Sequence, residues 1–509
     1  MHGTYRKKIA SPANEYWWGG TVNAGTRMPF SEGDSLDMRG DTFGNQAAPL
    51  LLSSHGRYIW SEEPFAFSCK EGVLELEGKA DFVLAQSGNC LKSAYLAAGE
   101  RFFPPSGKTP DSLLFSAPQY NTWIEMHSNQ AQEPILHYAR TLIKEGYQPG
   151  VLMIDEGWQR YFGDWTFCLE RFPDPAGMVK ALHDLGFKVM LWVIPFVVTD
   201  SKVFRQLRQE KALVLNADGS PALREWWNGY SAVIDLTGGR GRSWFLEQLR
   251  DLQDKYDIDG FKLDGGDSRF YRDNDQVTVS GSANAHSEAF AEFGLSFALS
   301  EYRACWKCGG QALAQRLQDK LHAWNERGLG SVVPNSIVQG LLGYPFSCPD
   351  MIGGGEYRSF ADQADHLDQE LFVRYAQASA LMPMMQFSAA PWRVLDREHA
   401  RLCLKAANLH DQFRHTILAL AEAASKTGEP IIRHMAYEWP DAHMECVTDQ
   451  FMLGSDTLVA PVLTKGATSR QVHLPPAKWQ ADNGQIYSGP DVVTVDTPLC
   501  RLPYFKRYT

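Results

Sequence analysis

GVLMID at 150–155, MVKALHDLG at 178–186, KVMLWVIPF at 188–196, WFLEQLRDLQDKY at 244–256 and DGFKLD at 259–264 decide the architecture. The first, third and fifth are short, near-continuous apolar runs, which is how strands buried on both faces read. The second and fourth read as helices. Strands alternating with helices imply βαβ units and a parallel sheet. Working outward, YNTWIEM at 120–126 adds an earlier strand, and ILHYARTLIKEG at 135–146 a helix that ends on Gly. Later strands are expected near Tyr302, over 312–317, in YPFSCPD at 344–350 and in MPMMQFS at 382–388. The total is about eight, enough to close a barrel.

The flanks differ. Before residue 116, runs such as PLLLSS, RYIWS and VLELEG alternate with Gly, Ser and Pro turns and read as a β-sandwich. After a helical stretch near Leu402–Thr427, FMLGSDTLVAPVL, SRQVHLPP and DVVTVDTP read as strands again. The expected fold is therefore α/β: an N-terminal β-sandwich domain over 1–115, a (β/α)8 TIM barrel over 116–428, and a small C-terminal β-sandwich domain over 429–509.

Composition narrows the function. A formal net charge of −11 disfavours nucleic acid and anionic membranes, which need a basic surface. No run approaches the roughly 20 apolar residues of a membrane span. MHGTYRKKIA has basic residues but no apolar run after them, so a secretory signal is not expected and the cytoplasm is the default location. The 9 cysteines are odd in number and scattered, as reduced thiols are. Cys305 and Cys308 form a lone CxxC without a second ligand pair, so neither a metal nor a cofactor is expected. Most of the 15 tryptophans fill core and surface, though flat indoles also suit sugar rings.

In such a barrel the working residues sit at the carboxyl ends of strands. Asp155 closes one strand, with Trp158 after it. Trp192 lies in the next. Asp264 closes another, with Lys262 two before and Asp267 three after. A lone aspartate there can be a helix N-cap and nothing more. Three features weigh against that reading. Lys262 puts a cation in the barrel mouth, Gly265 and Gly266 clear space beside Asp264, and the pattern recurs from strand to strand. Glycoside cleavage needs two carboxyls, one facing the anomeric carbon and one the leaving oxygen. Asp319, in RLQDKLHAW, follows another candidate strand, 319 − 264 = 55 residues downstream.

DGFKLDGGD resembles the nucleophile signature of glycoside hydrolase family 31, with Asp264 as the attacking residue and Asp267 where many members have Glu. The Lys-Leu-Asp-Gly-Gly-Asp form is that of a branch including bacterial α-galactosidases and the mammalian myogenesis-regulating glycosidase. The resemblance extends along most of the chain. GVLMIDEGWQRYFGDWTFCLERFPDP is similar to the family's second-strand segment, and EWWNGYSAVIDLT to the lead into the fourth. GLLGYPFSCPDMIGGG places Asp350 on the seventh strand, and DQFMLGSDTLVAPVL resembles the C-terminal domain. The acid/base segment departs from the family's Trp-x-Gly-Asp-Asn, but Asp319 to Trp324 keeps the five-residue step and GLGSVVP follows. Asp319 is the matching acid/base, with Glu326 as runner-up and His322 as a polar neighbour.

The resemblance implies retention of configuration through a covalent intermediate, with no cofactor. It implies that Asp155, Trp158, Trp192, Lys262 and Arg303 bind substrate, and that Trp227 contacts the sugar near C4. Asp350 either binds substrate or braces the site. The expected substrate is a small or oligomeric α-glycoside, α-galactoside first and α-glucoside or α-xyloside as alternatives. A sugar-binding protein without turnover is the non-enzyme alternative, and a homo-oligomer is left open.

Overall fold

A computed structural model describes residues 4–40 and 44–508. Eight parallel strands form the central sheet: Gln119–Asn121, Val151–Ile154, Lys188–Val193, Gly260–Leu263, Ser300–Tyr302, Ala314–Arg316, Ser347–Cys348 and Gln386–Phe387. They are numbered one to eight below. Each pairs with its neighbour in chain order, and strand eight returns to strand one. Strands seven and eight meet through a parallel bridge between Met351 and Gln386, which brings the barrel to near closure. Neighbouring strands align over two to four residue pairs, and burial on both faces removes any need for polar alternation.

Helices Gln132–Lys144, Pro175–Asp184, Gly239–Tyr256, Ala283–Gly294, Val332–Leu341, Gln369–Ala380 and Arg397–Thr427 cover the sheet. Local chemistry sets their ends. Asp174 accepts from Gly177 N ahead of Pro175, and Asp396 accepts from the Glu398 and His399 amides. Gly428 ends the longest helix at φ +74°, a left-handed cap that glycine adopts without a Cβ clash.

The alternation fails in two places. YNTWIEM is a strand only to Asn121, because the Asn121 side chain accepts from Trp123 N and turns the chain into the short helix Trp123–Met126. No helix joins strands five and six among the described residues. Cys305–Trp306 instead leaves the barrel and pairs in parallel with the N-terminal strand Gln46–Ser53.

That strand belongs to one of two N-terminal sheets, with Trp17–Thr21, Arg57–Ser61 and Phe82–Gln86. The other holds Tyr5–Ala10, Val73–Gly78, Phe65–Lys70 and Ser35–Asp37. The alanine-rich segment Leu91–Phe102 is a helix that the β reading of the region before residue 116 passed over. The C-terminal sheets contain Phe451–Leu453, Thr457–Val459, Ser469–Leu474 and Asp491–Asp496, in the segments read as strands. Among the described residues no helix is long and apolar enough to cross a membrane.

Candidate active site

The barrel's carboxyl ends gather most of the polar residues singled out above. Asp155 follows strand two, Trp192 lies in strand three, and Lys262 lies in strand four with Asp264 just after it. Arg303 follows strand five. Arg316 ends strand six, with Asp319 beyond it, and Asp350 comes two residues after strand seven. Lys262 and Asp264 are alternate residues, so the pleat points both to one side.

Asp264 is held on both oxygens. Arg303 donates to Oδ1 from Nε at 3.2 Å and Nη2 at 2.7 Å, and Gly265 N donates to the same oxygen at 2.9 Å. Trp192 Nε1 donates to Oδ2 at 3.1 Å. Burial alone would push this carboxyl up. The charges of Arg303 and Lys262, with the hydrogen bonds from Arg303 and Trp192, instead hold it well below the usual carboxylate range. Arg303 also grips Asp267 with two donors, at 3.1 and 3.0 Å. Burial opposes the guanidinium charge, but Asp264, Asp267 and Asp319 outweigh it and keep the arginine ionised.

Lys262 donates to Asp155 Oδ2 at 2.6 Å, a buried ion pair in the barrel mouth. Beside it sits Glu156, which the sequence reading did not single out. A two-residue turn joins strands Leu223–Trp226 and Gly229–Val233 of a small antiparallel sheet outside the barrel. From that turn Trp227 Nε1 donates to Glu156 Oε2 at 2.9 Å, and Asn228 Nδ2 approaches both carboxylate oxygens. Burial pushes the Glu156 carboxyl up to about 7, aided by the charges of Asp155 and Asp264 against the two donors.

The tryptophans divide. Trp227 is 43% exposed at the rim, while its neighbour Trp226 does the packing, edge-on to Phe162 and Phe196. Trp158 is fully buried and its indole N–H donates to Trp192 O at 2.8 Å. That bond ties the loop after strand two to strand three.

Arg316 is the hub of the opposite wall. It donates to Glu301, to Asp350, and to Asp319 Oδ1 at 2.7 Å. Asp319 keeps 36% of its side chain exposed, so it faces the opening. Asp350 is buried and takes Lys320 N at 2.7 Å and Gly355 N at 3.0 Å as well as Arg316. It does so at φ +76°, a left-handed conformation that costs a non-glycine residue about 1–3 kcal/mol. Of its two expected roles, these contacts are those of a brace. His322 donates from Nδ1 to Gly353 O at 2.7 Å, and Glu326 is exposed.

A sequence model of the glycosyl hydrolases family 31 TIM-barrel domain matches residues 117–417, more than half of the chain. The chain belongs to glycoside hydrolase family 31. The model of the family's C-terminal domain matches residues 428–508. The myogenesis-regulating glycosidase of Mus musculus is 32% identical over 429 residues, covering 82% of this chain and 60% of that protein. The 1,3-alpha-isomaltosidase of Kribbella flavida is 28% identical over 375 residues, covering 66% and 50%. The chain thus spans between half and three-fifths of the length of these curated relatives. A Flavobacterium johnsoniae GH31 dextranase, solved with glucose, shares the fold with a TM-score of 0.87 at 20% identity, over 100% of this chain and 67% of that one.

Neither family 31 model reaches the N-terminal sheets, yet those sheets touch the site. Gln46 Nε2 donates to Arg303 O at 2.6 Å, Arg316 O at 2.9 Å and Gln315 Oε1 at 3.0 Å, and Gln46 Oε1 accepts from Gln339 at 2.8 Å. Gly44 O accepts from Arg303 Nη1 at 2.9 Å. Gly44 has φ +69°, and a Cβ there would lie 2.0 Å from that same Nη1, so the arginine fits only against glycine.

Proposed function

We propose that the protein is a retaining, exo-acting α-glycoside hydrolase with Asp264 as nucleophile, Asp319 as general acid/base and a terminal α-galactoside as substrate. The observation that carries the reading is the hold on Asp264. A buried carboxylate at the end of strand four stays ionised, and among the described residues its Oδ2 accepts a single donor, which leaves a lone pair for attack. Asp264 attacks the anomeric carbon while Asp319 gives its proton to the departing oxygen. Asp319 then takes a proton from water, the water oxygen bonds to the anomeric carbon, and Asp264 leaves. Arg316 steadies the carboxylate that Asp319 becomes between the two steps.

The galactoside choice rests on the KLD, EWWNG and PDMIGG variants and on Trp227 at the rim, a rigid wall beside an axial 4-hydroxyl. The adjacent carboxylates Asp155 and Glu156 weigh against an anionic sugar. The name of the 1,3-alpha-isomaltosidase relative supports an α-glucoside as the second reading.

A panel of aryl α-glycosides tests the choice, with the galactoside turned over fastest. Proton NMR should find the α-anomer as first product, since two displacements restore the starting configuration. In Asp264→Ala, activity should fall roughly 10⁴-fold or more, and azide should partly restore it with a β-glycosyl azide as product. The β-anomer appearing first would make Asp264 a base. No turnover on any glycoside would leave a sugar-binding protein.

A further inference from the structure

Three aromatic rings meet on the loops that follow strands one and seven. Trp123 begins the short helix Trp123–Met126, His127 ends it, and Tyr357 begins the helix Tyr357–Ala361. The His127 and Tyr357 rings stack with centroids 3.6 Å apart and planes 25° apart. Trp123 lies 4.8 Å from His127 and 5.9 Å from Tyr357. All three are half-buried, so the cluster packs on the core and keeps surface open. His127 sits at φ +47°, rare for a residue with a side chain. Burial pushes its imidazole pKa down against the pull of the Asp155 charge, so at neutral pH it offers an uncharged ring.

The cluster is bound to the acid/base side of the site. Trp123 Nε1 donates to Gly355 O at 2.8 Å. Gly355 lies against Asp319: a Cβ on it would stand 3.1 Å from Asp319 Oδ1 and 2.8 Å from Asp350 Oδ1. The residue that anchors the indole therefore lies beside the carboxylate that faces the opening. A general acid works only within hydrogen-bond reach of the oxygen it protonates. The leaving half of the substrate must start beside Asp319 and run outward from it.

We propose that Trp123, His127 and Tyr357 form the platform on which the leaving half of the substrate stacks, and that this half is a neutral ring, a second sugar or an aryl group. The inference rests on the glycosidase reading with Asp319 as acid. Flat apolar faces match the C–H faces of a ring, and pockets of this kind pair such faces with a few polar groups. The three rings bring flat faces and no cation, so the platform has nothing to pair with an anionic leaving group.

A glycosyl fluoride tests this, because its leaving group carries no ring. The sugar is the one turned over fastest in the panel of aryl glycosides. For Tyr357→Ala, kcat/KM on the nitrophenyl glycoside and on a disaccharide should fall at least about tenfold more than on the fluoride. Tyr357→Phe, which keeps the ring, should restore most of the difference. His127→Gly suits the left-handed backbone and should show the same bias. Equal losses on ringed and ringless substrates in both variants would overturn the platform while leaving the glycosidase reading intact. A wild-type protein inert on the fluoride as well as the glycosides would overturn both.

Discussion

Asp264 and Asp319 are both aspartates at the ends of strands, and their surroundings separate them. Asp264 is walled in by Arg303, Trp192 and Gly265. Among the described residues Asp319 is hydrogen-bonded by one cation, Arg316, and it has an open side. A general acid matters most when the leaving oxygen is basic, and typically contributes 10²–10⁴-fold. Asp319→Ala should therefore lose at least about a hundredfold more activity on an alkyl or sugar aglycone than on a nitrophenyl one. Equal losses would direct attention to Glu326. Asp264 and Lys262 were legible because an apolar run that ends on charge is costly unless the charge has work to do. Glu156 was not. Next to Asp155 it reads as an ordinary loop carboxylate, and its character comes from a hairpin turn 71 residues further on, a distance no local pattern spans.

On the proposed galactoside reading, that hairpin is the element on which selectivity turns. Its tip carries Trp227 and Asn228, and the only barrel residue they grip in the described hydrogen bonds is Glu156. An aromatic wall of this kind discriminates by roughly ten- to two-hundredfold. Trp227→Ala should lower the kcat/KM ratio of α-galactoside to α-glucoside at least about tenfold, beyond any loss common to both. A constant ratio would shift the preference to Asp155, Lys262 or Arg303. Glu156 also gives the tip a pH dependence. Its pKa rises from 4.5 in the unfolded chain to about 7 when folded, so between these values the folded protein binds more protons. Stability then falls as pH rises from 4.5 to 7. Glu156→Gln lacks that slope, and its Tm should gain on the wild type across the window. Parallel Tm profiles would show that the carboxyl titrates normally. The βαβ alternation exposed the barrel strands well, but not the missing helix between strands five and six, since nothing in SEYRACWKCGG reveals that Cys305–Trp306 pairs with a strand 259 residues earlier.

At the scale of the whole molecule, the site belongs to two domains. The barrel supplies the carboxylates, and the N-terminal strand around Gln46 holds the carbonyls of Arg303 and Arg316, the two arginines that face them. A buried bond broken on one side costs roughly 1–3 kcal/mol. Gln46→Leu strands several partners, so chemical denaturation should show a loss of about 2–5 kcal/mol. Where the variant is still folded, kcat/KM should also fall at least about tenfold, as small misplacements of reacting groups do. A stability loss with unaltered kinetics would mean that Gln46 is only structural. Domain order was legible from the change of rhythm, from β runs and turns to alternating strands and helices and back to β. The clamp was not, because a glutamine in an apolar strand carries no sign of which distant carbonyls it will meet.

The spacing of that clamp also sets an order in time. Gln46 leaves the ribosome 257 residues ahead of Arg303 and 293 ahead of Gln339. At about 5–20 residues per second, the N-terminal strand waits roughly ten seconds to a minute for its partners. Asp264 emerges within that interval, before the arginine that will steady it. On the proposed mechanism, a chain that has emerged only as far as Asp264 holds the attacking carboxylate without the arginine beside it, and the centre is assembled only once the chain beyond strand six has followed.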